Sequence, residues 1–134
     1  MNSVREYYSQ RVTAEKPAFV NVMKAVPPDQ GDYKPHPRST SSADLLWLLA
    51  TEIHDACTLI DHGEVNYVYK PSPGVSESVA AYEKHVAELE AKLPRVDDAK
   101  WESKARLMAD GKVLWETTLG EMLWGFLFDA IHHR

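Results

Sequence analysis

The stretch P-P-D-Q-G-D-Y-K-P-H-P-R-S-T-S, Pro27 to Ser41, limits the fold more than any other part of the chain. Proline fixes φ, lacks a backbone N–H and pushes the residue before it out of the helical region, so no helix passes through this stretch. It has to be a long loop or crossover between two helical portions. On either side of it the apolar residues recur every three or four positions, the spacing of one helix face. Upstream, a first helix is expected within Ser3 to Ala25, with Pro17 as its weak point and Thr13 placed to cap a restart if the helix breaks there.

Downstream, Ser41 or Ser42 can cap a second helix that runs to about Asp61, with Asp44 well placed against the positive helix end. Leu45, Leu46, Leu49, Ile53, Ala56, Cys57 and Ile60 make its apolar stripe, and Trp47, Thr51, His54, Thr58 and Asp61 fall on a wetter side. A linker, H-G-E-V-N-Y-V-Y-K-P-S-P-G, leads to a third helix over about Val75 to Leu93. Between Pro94 and Thr117 the periodicity fades, and Asp110-Gly111 between apolar residues signals a short hairpin or an irregular loop. Thr118 with Glu121 three residues on has the form of a capping box, so a fourth helix starts after Thr118 and runs to Arg134. The expected architecture is all-α: a four-helix up-down bundle with a long crossover loop.

A chain of 134 residues fits one domain with one core, spanning residues 1–134. With a net charge of −5 and no run of lysine and arginine to supply phosphate contacts, nucleic acid is not an expected partner. The longest apolar stretch, Leu45 to Ala50, is far short of the roughly 20 residues that span a bilayer. Cys57 is the one cysteine, and the start M-N-S-V-R-E-Y-Y carries no apolar run suited to a signal peptide, so a soluble protein of the reducing cytoplasm is expected.

The chemistry concentrates in F-D-A-I-H-H-R, Phe128 to Arg134. Residues four apart on a helix lie about 40° from each other around its axis, so Asp129 and His133 share a face while His132 is turned about 100° away. A carboxylate and an imidazole on one face suit a divalent first-row metal, although His-His-Arg is also what a helix C-terminus favours electrostatically. The remaining candidates read as ordinary structure: His36 and His62 as loop residues, His54 and His85 as surface histidines, His132 and Arg134 as complements to the helix end. Trp47, Trp115 and Trp124 read as core or interface aromatics, and Cys57 as a small core residue.

Two segments, Y-K-P-H-P-R-S-T-S-S-A-D-L-L-W-L-L-A from Tyr33 to Ala50 and G-E-M-L-W-G-F-L-F-D-A-I-H-H-R from Gly120 to Arg134, resemble the DinB superfamily of small helical bundles. That resemblance implies a metal-binding histidine on the second helix, in a pattern like L-L-x-H-x-A, and two more on the fourth, in H-x-x-x-H-R-G-Q-L. Here the three positions are Leu48, Asp129 and His133, followed by Arg134 in the place of the family's arginine. Leucine binds no metal, aspartate is an acceptable oxygen ligand, and G-Q-L does not follow, so the fourth helix is expected to be short relative to the pattern. Glu52, one turn beyond Leu48 on the same side, is the expected replacement ligand, which makes the candidate site Glu52, Asp129 and His133, with Asp55 a lesser candidate.

The resemblance implies a divalent metal, zinc, nickel or manganese, and an activity of the thiol-transferase or hydrolase kind on a small-molecule or thiol substrate. The competing expectation is a non-catalytic bundle in which the site has decayed. A homodimer is the expected assembly, closed two-fold pairing being the commonest symmetry. Empty space around Leu48 would favour the first reading and a filled apolar interior the second.

Overall fold

The computed structural model describes residues 3–134. Four long helices, α1 (Val4–Lys24), α2 (Ser42–His62), α3 (Val75–Lys92) and α5 (Leu119–His133), account for most of the described chain. The short helix α4 (Asp98–Trp101) and three strands, β1 (Glu64–Asn66), β2 (Lys104–Ala109) and β3 (Lys112–Thr118), complete it. The purely all-α expectation is therefore corrected: a mostly helical fold carries a small sheet of order β1-β2-β3.

Three of the four long helices, α1, α2 and α5, begin where the sequence provides a side-chain cap, while α3 starts after Gly74 without one. Ser3 accepts from the Glu6 amide while the Glu6 carboxylate takes the Ser3 amide, Ser41 accepts from the Asp44 amide, and Thr118 accepts from the Glu121 amide. These contacts satisfy N–H groups that the first helical turn leaves without partners. Pro17 does not break α1, and Thr13 caps no restart; its hydroxyl instead donates to Glu90 on α3 at 3.0 Å. The helix absorbs the missing N–H because its flanking turns are pinned by packing, with Phe19 and Met23 beyond the proline both buried.

The strong helix pairings are α2 with α3, α2 with α5, α1 with α3 and α1 with α5. The Pro27–Ser41 connection is thus a crossover that carries the chain between helices that do not pair strongly with each other. Buried side chains from all four helices, among them Tyr8, Phe19, Leu49, Tyr82, Met122 and Leu123, form one core. No helix of the described residues is long and apolar enough to cross a membrane.

Asp110 and Gly111, with φ of 50° and 75°, form the two-residue turn of the β2–β3 hairpin. Both central residues of such a turn need positive φ, a condition that Asp-Gly meets at low cost. The hairpin register slips between Leu107 and Met108, a bulge that leaves Leu114 without a direct partner. β1 runs parallel to β2, pairing Val65 with Leu107. It falls within the stretch read as a linker, where three residues are too few to show a period and the pairing partner lies far along the chain.

Two glycines let α4 and the sheet seat on α5. A Cβ on Gly120 would lie 2.2 Å from the Trp101 ring, and one on Gly125 would lie 2.6 Å from the Trp115 ring. Only a residue without a side chain lets α5 accept both indoles.

Candidate metal centre

Glu52 lies on the α2 face that packs toward α5, and it is 8% exposed. Neither of its carboxyl oxygens has a hydrogen-bond partner among the described residues. Such a group carries a large desolvation cost unless it is protonated or meets a cation. Burial is the main cause that pushes its pKa up to about 10, with the Asp129 carboxyl, which can share its proton, and then the Asp55 charge adding to the effect.

Across the helix interface, Asp129 and His133 stand one turn apart on α5, His133 Nε2 lying 3.5 Å from Asp129 Oδ2. One ligand atom from each of Glu52, Asp129 and His133 lies within 4.8 Å of the other two, a group that can hold a metal ion. A carboxylate oxygen binds a divalent metal at about 2.0–2.2 Å and an imidazole nitrogen at about 2.0–2.1 Å, so donors at this separation need only small rotamer changes to share one ion. His132 stands outside the group, exposed, its ring centre 5.2 Å from that of His133. Arg134 does more than complement the helix end. It donates to Glu15 on α1 at 2.7 Å and lies over the Phe19 ring at 4.8 Å, so it is spent on holding α5 to α1. Among the described residues no lysine or arginine pairs with Glu52 or Asp129, and the ion-pair partner of Asp129 is His133.

A cleft of about 390 Å³ opens beside these residues, with Glu52 and Asp129 in its wall. Leu48, Leu107, Trp115 and Phe126 supply its apolar surface. Leu48 stands in the wall and does not fill the interior. Asp55 also lines the cleft, its pKa raised to about 6 by burial, with the neighbouring His54 pulling it back down. Tyr67, just past β1, also lines the cleft and begins a strap that lies beside α2. Main-chain donation from Tyr67 to Met108 at 2.7 Å tethers one end of the strap. At the other end Asp44 receives the Ser72 amide at 2.9 Å and the Tyr69 hydroxyl at 3.4 Å.

The sequence singled out the three candidate ligands but not the walls. Trp115 was read as a core or interface aromatic, and it is the notch at Gly125 that seats it at the cleft. A tryptophan in a hairpin and a glycine within an apolar helix were the available signals, but nothing in either segment says that the two meet.

The crystal structure of the DinB-like protein YjoA from Bacillus subtilis superposes on the chain with a TM-score of 0.71, covering 95% of this chain and 84% of its own, at 16% sequence identity. The fold is DinB-like. At that identity the likeness speaks for the fold alone. No family model and no curated protein matches the sequence. In this DinB-like chain the candidate ligands are divided between α2 and α5, and the sheet forms the wall that faces them.

Proposed function

We propose that this DinB-like bundle binds one divalent cation through Glu52, Asp129 and His133 and uses it on a small molecule held in the adjoining cleft, in a reaction of the hydrolase or thiol-transferase kind. The observation that carries this reading is Glu52, a buried carboxyl with both oxygens unpaired, facing two further donors of the right chemistry. A bound divalent cation supplies Lewis acidity, lowering the pKa of a water or thiol that meets it. Glu52 and Asp129 provide two anionic oxygens, and His133 a neutral nitrogen, a mixed set that suits zinc, nickel or manganese. Asp55, with a carboxyl that titrates near pH 6, stands in the same cleft to accept or return a proton close to neutrality. Trp115, Phe126 and Leu107 give an apolar wall against which an uncharged part of the substrate can pack.

Metal-linked melting tests this reading. An ion present at about 100 times its dissociation constant stabilises the fold by about 2.7 kcal/mol, a Tm shift on the order of 10 °C for a domain of this length. Asp129→Ala and His133→Ala should each abolish most of the shift and His132→Ala should keep it. No shift with zinc, nickel or manganese in the parent protein rules the site out.

A specific feature also favours the homodimer. Tyr7, Trp124 and Phe128 form an aromatic ladder over α1 and α5, with centroid steps of 5.8 and 5.4 Å, and Phe128 is 61% exposed. The groove beside them is apolar along Leu127 and Ile131, and the Arg11 and Glu15 that also line it are ion-paired within the chain, so no unpaired charge opposes a self-complementary contact across a two-fold axis. A second copy of this chain is the proposed occupant.

A further inference from the structure

We propose that His54 and His85 form a second metal site, a two-imidazole chelate bridging α2 and α3 that takes a copper, nickel or zinc ion. The site does not depend on the Glu52 centre, and either can fail without the other.

The two rings meet edge to face across the helix interface, with centroids 4.7 Å apart and planes at 62°. A metal bound to imidazole nitrogen at about 2.0–2.1 Å sits roughly 3.2 Å from the ring centre, so two rings sharing one ion at a near-tetrahedral or square angle have centres some 4.5–5.5 Å apart. The observed spacing falls in that window. One ring is oriented by a carboxylate of its own helix: His85 Nδ1 lies 3.4 Å from Glu88 Oε2, within hydrogen-bond reach, while the Asp55 carboxylate stands 3.8 Å from His54 Nδ1, an ion-pair distance only. A carboxylate at Nδ1 of His85 favours the tautomer that leaves its Nε2 as the free lone pair, and it is the usual outer partner of a metal-binding histidine.

The backbone holds the pair in place. Cys57 Sγ contacts the His85 carbonyl at 3.7 Å where α2 meets α3, so the helices that carry the rings are packed against each other at this level. A cleft of about 440 Å³, with both histidines in its wall, leaves room for solvent to complete the coordination. Lys70 lines it too and Lys84 acts on His85 from its own helix, with Asp55 in the cleft and Glu88 beside His85 as the opposing charges. Asp55 lines both this cleft and the one beside Glu52, but it is not a ligand of either proposed centre.

The test uses the full chain carrying Asp129→Ala and His133→Ala, which removes the first centre, titrated with copper(II) and read by electron paramagnetic resonance and calorimetry. The expected result is one equivalent bound, with nitrogen hyperfine structure from two imidazoles. Adding His54→Ala or His85→Ala should lower the affinity at least about ten-fold, and Glu88→Gln should lower it by a smaller factor, because the ring then loses its orienting partner. His54 is exposed, so His54→Ala decides the matter if His85→Ala disturbs the helix packing. Binding that survives both histidine substitutions, a one-nitrogen spectrum, or no binding at all would overturn the proposal.

Discussion

Glu52 titrates near 4.5 in an unfolded chain and at about 10 in the folded one, so folding favours its protonated form. The stability this gives is complete below the unfolded value and is lost as pH rises toward the folded one. Asp55 acts with the same sign over a narrower window, from 3.8 to about 6. Metal-free protein should therefore melt at lower temperature at about pH 8.5 than at about pH 5, and Glu52→Gln should flatten that slope and raise the Tm near pH 8 by about 3 °C or more. Calorimetric scans across the range check this, and an unchanged slope in the glutamine variant would show that another group is responsible. The same proton has to leave before Glu52 meets a cation, so metal binding near neutrality should release about one proton, visible as a dependence of the binding heat on the buffer. Asp129 and His133 were suggested by their four-residue spacing, whereas Glu52 was suggested by its one-turn offset from Leu48, a position that only the resemblance to the DinB superfamily marks. The close approach of His54 to His85 was not legible, because it depends on the rotation of α2 against α3, and a residue on the wetter side of one helix gives no hint of its neighbour on another.

At the scale of elements, the proline-rich crossover and the four long helices followed from breakers, caps and a 3.6-residue period, all local signals. What escaped was non-local: the parallel strand β1, and the seating of two tryptophans on α5. Gly125→Ala tests that seating. Its new methyl would press on the Trp115 ring, so a loss of about 1–3 kcal/mol is expected by chemical denaturation, together with changed Trp115 fluorescence. Pro17 presents the reverse case. It sits exposed inside an unbroken α1, so Pro17→Ala restores a backbone donor without creating a cavity and should stabilise the fold by about 1–3 kcal/mol. A neutral or destabilising result would mean that the ring makes a contact worth more than the missing hydrogen bond.

For the whole molecule, the exposed Tyr7 and Phe128 make assembly the property to measure. Light scattering at micromolar concentration should give the mass of two chains, and Phe128→Glu should give the mass of one with an unchanged helical spectrum; a monomeric parent protein removes the dimer. The bundle and the strap that follows β1 differ in how firmly they are held. The Val68–Pro71 stretch is tied at its ends by the Tyr67–Met108 bond and by a single carboxylate, Asp44, at the start of α2. A segment fastened at so few points opens at a small fraction of the free energy that unfolds the core, and its opening leaves the helices intact. Amide hydrogens should record the difference. Those of Tyr67 and Ser72 should exchange with solvent deuterium orders of magnitude sooner than those of Leu49 and Leu59, and substituting Asp44 by alanine should accelerate the Ser72 amide while leaving the helix interior slow.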